Sequence, residues 1–344
     1  MKDRLLSLLA NDRLMRLMRP VRRNGATIFF LHRFHDPARG NDGHSPELLR
    51  QALAFLRRHG FTFAPLGDVL ATLAAGEEPR PDTVVFTIDD GYADFAEVAG
   101  PIFAEFDCPA TVFLVTGFLD GQLWLWWDQV EYAIERSPRQ NPAIRLDAMP
   151  FAATLRTPQD RRHAIDHLTE ALKHVDDARK HEFIAELARQ LEVALPAGCP
   201  PLYAPMTWDQ VRRAARQGVS FGPHTVTHPI LSQCSDEAAR WEIAQSTARL
   251  RQETDAMVPV FCYPNGTPWS FSAREEQAVR EAGLGGAVTT LPRHVTRARY
   301  AADGRAPFAI PRFPFPRDLP RVAGVVGGAE HMRSRIRAAV QAGD

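Results

Sequence analysis

Neither sign of charge is in surplus in this chain: 41 lysines and arginines meet 41 aspartates and glutamates, for a formal net charge of zero. A nucleic-acid partner normally calls for a strong basic excess, so no nucleic acid is expected. Cysteine is scarce as well. The four present, Cys108, Cys199, Cys234 and Cys262, form no C-x-x-C pair and no regular framework, which argues against a disulfide scaffold and favours a reducing compartment. Long apolar runs are missing too. The longest, Cys108 to Leu119, is too short to span a bilayer and reads as a core strand. The amino end, MKDRLLSLLANDRLMRLMRP, spreads its charges along its length and offers no uninterrupted apolar core and no small-residue cleavage site. The cytoplasm is therefore the expected location.

What is present is alternation. Strand-like runs at Thr27–Leu31, Val84–Ile88, Ala110–Val115, Val219–Gly222, Val258–Tyr263 and Gly286–Thr290 are separated by helical patterns, which favours a parallel sheet covered by helices. Pro46 to Arg58 keeps apolar positions at Leu48, Leu49, Ala52, Leu53 and Leu56, and Ser235 heads a helix reaching about Glu253. One large interruption spans about 124–205. Thr157 and Pro158 read as the N-cap and first residue of a helix with Ile165, Leu168, Leu172 and Val175 on one side, and Phe183, Ile184, Leu187 and Leu191 form a second stripe. An inserted antiparallel helical hairpin is the economical account. With 344 residues, 45% of them hydrophobic, the chain is long enough for one elaborated domain over 26–320. It is flanked by a basic helix or arm at 1–25 and a tail or helix at 321–344. The arm sets Lys2, Arg4, Arg13, Arg16, Arg19, Arg22 and Arg23 among leucines and methionines. It reads as packed on the domain or extended, with peripheral membrane contact through residues 1–23 as the alternative.

Two fragments carry chemistry. In VVFTIDDGYADF a β-branched run stops at Asp89, Asp90 and Gly91, which puts two carboxylates at a strand's carboxyl end, where α/β folds hold their sites. In FGPHTVTHPIL a short strand presents His224 and His228. A helix precedes it, started by Thr207 with Gln210 as a capping box and ended at Gly218. An H-x-x-x-H spacing would bring both imidazoles to one side of a helical turn. Two histidines and one carboxylate leave coordination positions open for water and substrate, which suits catalysis, and the other carboxylate is then free to accept a proton. Taken singly, D-D-G also serves as a cap and turn, and histidines four apart also occur on solvated helices. Both fragments lie directly after expected strands.

FTIDDGYAD and HTVTH resemble the first two motifs of the polysaccharide deacetylases, the NodB-like carbohydrate esterases; FFLHRF near Ile28 is similar to the family's opening strand, and FCYPNG near Pro264 stands in place of its third motif. The resemblance covers about 26–320. It implies an α/β fold: a distorted (β/α) barrel of about seven strands, here with the helical insertion. It further implies a metal-dependent hydrolase of carbon–nitrogen, non-peptide bonds that removes the acetyl group from an N-acetylated amino sugar in a glycan, glycolipid or oligosaccharide precursor. Carried onto this chain, Asp89 becomes the general base and Asp90, His224 and His228 hold a divalent ion, Zn2+ first, with Co2+, Ni2+ or Mn2+ as alternatives. A backbone N–H from Tyr263–Gly266 would help hold the oxyanion.

The chain departs from the family at two points. Cys262 stands where the third motif usually has the arginine that orients the base, and Arg312 in AIPRFPF is a candidate substitute. The late histidine commonly used as acid has no counterpart but His294, in the loop-like LPRHVT, so His32, closing the first strand, is taken as the catalytic candidate for that role. Trp124, Trp126 and Trp127 read as core fillers first and as sugar platforms second. Two other functions stay open: a silent glycan-binding protein on the same scaffold, motivated by Cys262 and the unassigned acid, and a hydrolase of cyclic imides or other C–N bonds.

Overall fold

The computed structural model describes residues 25–146, 149–302 and 306–327. All but Gly25 of the expected basic arm, and 328–344 of the expected tail, lie outside the described residues.

The expected alternation forms a circuit of parallel strands. β1 (Thr27–Leu31), β2 (Thr62–Phe63), β3 (Thr83–Ile88), β4 (Ala110–Leu114), β7 (Ser220–Pro223) and β10 (Phe313–Pro314) make a six-stranded sheet in the order β10-β1-β3-β4-β7, with β2 paired to β3. β8 (Val260–Cys262) and β9 (Gly286–Val288) form a separate parallel pair. Regular ladders do not close the barrel. Single bridges, Phe221 with Met257 on one side and Val288 with Ile310 on the other, carry the circuit past the β8–β9 pair. A distorted barrel with interrupted pairing is the result, and its seventh member, β10, is too short to show as a sequence pattern. β5 (Ala143–Leu146) and β6 (Met149–Ala152), an antiparallel hairpin in the insertion, carry no such pattern either.

Helices cover the outside. α1 (Pro46–Arg58) follows Ser45, whose side chain accepts from the Leu48 N–H, and buries Leu49, Ala52, Leu53, Phe55 and Leu56. α2 (Leu66–Ala74) and α3 (Gly100–Glu105) follow in chain order. The insertion supplies α4 (Trp126–Arg136), α5 (Pro158–Leu172) and α6 (Asp177–Gln190). α5 opens with a capping box between Thr157 and Asp160, as Thr157–Pro158 foretold. These three helices bury their own core, with Val130, Ile134, Leu168, Leu172, Ile184 and Leu187 together. α7 (Trp208–Ala215) begins at the Thr207–Gln210 capping box, and α8 (Asp236–Glu253) at Ser235. After α9 (Ala273–Glu281), α10 (Leu319–Val326) crosses the boundary expected at 320 and buries Val322, Ala323 and Val326. Among the described residues no helix is long and apolar enough to cross a membrane.

The barrel interior is not wholly apolar. Arg312, immediately before β10, is fully buried. Its guanidinium lies 5.0 Å from the ring centre of Phe30 on β1 and 5.6 Å from that of Phe113 on β4, and it bonds Thr87 on β3 and the Thr289 carbonyl after β9. One side chain therefore reports that these strand ends surround a common axis.

Candidate active site

Three loops at the carboxyl ends of β3, β7 and β8 build the site, and each bends through left-handed backbone. Asp90 (φ 74°), Thr225 (φ 69°), His228 (φ 61°) and Asn265 (φ 65°) are non-glycine residues in this region. Such conformations cost about 1–3 kcal/mol each and persist only where the surroundings enforce them. For the β7 loop the enforcement is visible. The Thr225 hydroxyl accepts from the His228 N–H at 3.0 Å, and the Glu242 carboxylate on α8 accepts from the Val226 and Thr227 N–H groups at 2.7 and 3.0 Å and from the Thr227 hydroxyl at 2.6 Å. The H-x-x-x-H segment is thus no helical turn, contrary to the spacing argument. Positive φ at Thr225 and His228 folds it back, and a carboxylate from a distant helix holds it. Sequence reasoning missed Glu242, because nothing in α8's pattern marks that acid among its others.

Asp90, His224 and His228 converge. The His224 and His228 Nε2 atoms lie 3.1 Å apart and 3.5 and 3.6 Å from Asp90 Oδ1. A cation about 2.0–2.2 Å from each donor requires donors roughly 3.0–3.6 Å apart for right-angled to tetrahedral ligation, so these residues fit a divalent ion. The tautomer fits as well. His224 Nδ1 lies 2.7 Å from the Cys262 carbonyl and must donate to it, so Nε2 is the nitrogen turned to the cluster. Burial would lower the His224 pKa, but Cys262 and Asp90 hold it well above the imidazole norm, so without a cation Nε2 carries a proton that a divalent ion would displace. All three side chains are buried. Burial pushes the His228 pKa down, with help from His224, to about 3, so its imidazole is neutral as a ligand must be. Burial would raise Asp90, but the hydrogen bond to His224 and the nearby His32 and His228 hold it below the usual carboxylate range.

Asp89, one residue earlier, meets a different partner. Arg312 Nη1 and Nη2 donate to its Oδ1 and Oδ2 at 2.7 and 2.8 Å, and Nη2 also reaches Cys262 Sγ at 3.3 Å. Burial would raise the Asp89 pKa; the guanidinium more than reverses this, and the carboxylate stays ionised. A second donor cluster of Asp89, His224 and Cys262 exists, yet its positive charge is already supplied by Arg312. The small Cys262 side chain leaves the space that the guanidinium fills, so the arginine reaches Asp89 from the strand end two positions further round the circuit.

These groups open onto a cavity of about 1360 Å³ bounded by strand-end loops on one side and by α4 and α5 on the other. His32, exposed at the end of β1, lines it, its ring edge-on to Phe30. His294 does not; it is buried beside Thr27 and Phe313. The expected oxyanion donor in 263–266 narrows to one residue. Tyr263 and Gly266 give their N–H groups to the carbonyls of Val288 and Pro264, and proline has none, which leaves Asn265 on the cavity wall. Of the tryptophans, Trp124 is buried against Tyr132 and Tyr203, whereas Trp126 and Trp127 line the cavity. Trp127 packs on the His228 ring at 4.6 Å.

Strand-end carboxylates beside a two-histidine set, in a parallel α/β circuit, define a metallohydrolase-like class. The chain belongs to the polysaccharide deacetylase family, hydrolases of carbon–nitrogen amide bonds: that family matches residues 76–287, more than half of the 344. The match takes in both aspartates, both histidines and Cys262 but stops short of Arg312. Solved structures with the same fold include the Streptococcus pyogenes deacetylase PplD in complex with acetate, at 19% identity and TM-score 0.55, over 87% of this chain and 96% of that one. IcaB from Ammonifex degensii aligns at 17% identity and TM-score 0.54, over 88% of this chain and 97% of its own. BC0361, a polysaccharide deacetylase from Bacillus cereus, aligns at 11% and 0.53, over 88% and 69%. No curated protein matches the chain in sequence.

Proposed function

We propose that this protein is a divalent-metal-dependent N-deacetylase of an N-acetylated saccharide, with Asp89 as general base and Asp90, His224 and His228 as ligands. The carrying observation is the division between adjacent aspartates: one shares a donor cluster with two imidazoles, the other is held beside that cluster by a guanidinium. Zn2+ suits the N2O donor set best, and a bound divalent ion would polarise the acetamide carbonyl and acidify the attacking water. Asp89, kept anionic and aimed by two hydrogen bonds from Arg312, has lone pairs left to accept the water proton. Asn265, on the cavity wall, is the residue of 263–266 whose N–H is left to meet the carbonyl oxygen as it gains charge. The amine must leave protonated, and the cavity wall holds His32 and Asp128 as groups able to carry that proton. The reason for a silent glycan-binding protein weakens, because Arg312 supplies the partner that Cys262 cannot.

Acetate release from N-acetylglucosamine oligomers by zinc-loaded protein tests the proposal. Asp89→Asn should keep the zinc and lose about 10²–10⁴ in rate; undiminished release from that variant would defeat the assignment of the base. A cytoplasmic location remains part of the proposal, supported by four free thiols and checked by cell fractionation.

A further inference from the structure

Asp128, on the first turn of α4, is a buried carboxyl whose role the barrel does not explain. Its Oδ2 accepts from the Tyr92 hydroxyl at 2.8 Å, and that hydroxyl accepts from Trp127 Nε1 at 2.9 Å. Indole N–H can only donate, so the tyrosine oxygen accepts from it, and the tyrosine's single proton is given to Asp128 Oδ2. In this arrangement a proton on Asp128 resides on Oδ1, which has no hydrogen-bond partner among the described residues and belongs to a side chain on the cavity wall. The chain is also tied to the ligand cluster at both ends. Tyr92 follows Asp90 by two residues, and Trp127 stacks edge-on against His228.

We infer that Asp128 is the general acid of the reaction, donating the Oδ1 proton to the departing amine. The inference rests on the deacetylase proposal above. The balance closes: water adds to the acetamide carbon as Asp89 takes its proton, the C–N bond breaks, and the nitrogen keeps its bonding pair while receiving the Asp128 proton. Acetic acid and free amine result, and the acid passes its proton to the amine or to solvent as the products leave. Asp89 then holds a proton that Asp128 lacks, and exchange with solvent resets both. His32 is the competing donor, but it is exposed, with its ring edge-on to Phe30, whereas Asp128 is buried and held by the Tyr92 hydroxyl, itself braced by Trp127. The groups facing Asp128 agree with a protonated state. Burial raises its pKa well above the carboxylate norm, opposed by Arg33 at the end of β1 and the Tyr92 hydroxyl, and reinforced by Glu131 on its own helix and by Asp90. Cys199 and Tyr203, from the segment crossing α4, also lie within its field and are themselves pushed toward their neutral forms, mainly by burial.

Leaving-group dependence tests the role. Asp128→Asn keeps an oxygen for Tyr92 and removes the acid; zinc content and melting temperature monitor the fold. On an N-acetylglucosamine oligomer, whose amine needs a proton, kcat should fall about 10²-fold or more. On p-nitrophenyl acetate, whose phenolate leaves unaided, the fall should be at least about tenfold smaller. Parallel losses on both substrates, an unchanged oligomer rate, or a selective oligomer loss in His32→Gln instead would each overturn the inference. Should Asp128→Asn not fold, wild-type pH profiles decide: a basic limb on the oligomer, absent with the aryl acetate and persisting in His32→Gln, supports Asp128, and a limb shared by both substrates or lost in His32→Gln removes it. Wild-type protein that cleaves the aryl acetate but no N-acetylated sugar would defeat the deacetylase proposal, and the acid with it, whereas cleavage of both with Asp128→Asn indifferent defeats the acid alone.

Discussion

Asp89 and Asp90 are chemically identical neighbours on one strand end, yet the fold gives them opposite surroundings. Asp89 has both oxygens bonded by one guanidinium, whereas Asp90 faces two imidazole nitrogens across 3.5 and 3.6 Å. The left-handed backbone at Asp90 (φ 74°) turns consecutive side chains toward different partners. Two equal acids acquire two functions only if their environments differ this sharply; a shared environment would leave both competing for the same cation. The contrast also shows how a barrel holds a buried arginine: its charge is matched by Asp89 and its remaining donors by Thr87, the Thr289 carbonyl and the Cys262 sulfur.

The comparison breaks most completely at the ligand. Asp90→Ala should leave zinc content near zero by elemental analysis and lower turnover by at least about 10³-fold, the rate equivalent of several kcal/mol of lost electrostatic stabilisation. Full zinc content in that variant would show that Asp90 and Asp89 have been assigned the wrong way round.

Arg312→Ala attacks the other side. It strands a buried carboxylate, so it should cost about 3–5 kcal/mol of stability and reduce kcat while zinc remains bound. The pH dependence has a definite sign. In the wild type the folded pKa of Asp89 lies below its unfolded value; the pairing therefore stabilises fully above the ordinary carboxylate pKa, about 3.9, and is lost as pH falls through the depressed folded value. Without the guanidinium, burial is opposed only by the lesser pull of His32 and His224 among the causes of the shift, so the folded pKa rises, the stability gained from the pairing is lost, and the acidic limb of kcat moves upward. Urea melts across that range, with rates on the same samples, check both; an unmoved limb would mean Arg312 does not govern the base.

Glu242→Gln gives a smaller effect by loosening the β7 loop rather than a ligand. An amide retains one acceptor for the donors of Val226 and Thr227, so the fold should survive, with zinc affinity reduced roughly 10–100-fold as for other groups that support ligands. Competition against a chromogenic chelator measures it. Unchanged affinity would place the loop's restraint in Thr225 instead.

Much of this arrangement was legible before any coordinates. Asp89, Asp90, His224 and His228 announce themselves because short sequence motifs meet strand ends, and capping residues such as Ser45, Thr157, Thr207 and Ser235 mark helix starts through local hydrogen bonds. Arg312 could be nominated but not placed, since it meets Asp89 across 223 positions and lies beyond the stretch matching the family. Glu242, Tyr92 and Asp128 were invisible for a related reason: each acts through one long-range contact, and neither periodicity nor spacing encodes such contacts. β10 and the β5–β6 hairpin are pairings of too few residues to leave a period of two.

The tryptophans give the finest test of the contrast between frame and site, because Trp124 and Trp127 are three residues apart and only Trp127 lines the cavity. Trp124 is buried between Tyr132 and Tyr203, so Trp124→Ala should cost about 3–5 kcal/mol in stability and leave KM nearly unchanged in protein that stays folded. Trp127 is only partly buried and joins His228 to Tyr92. Trp127→Phe keeps the ring but removes the N–H, freeing the Tyr92 hydroxyl to rotate away from Asp128. Its melting temperature should shift by no more than expected for one hydrogen bond, about 0.5–1.5 kcal/mol, while kcat falls several-fold at constant KM. A rise in KM alone, with kcat intact, would make Trp127 a sugar platform instead of part of the hydrogen-bond chain that aims Asp128.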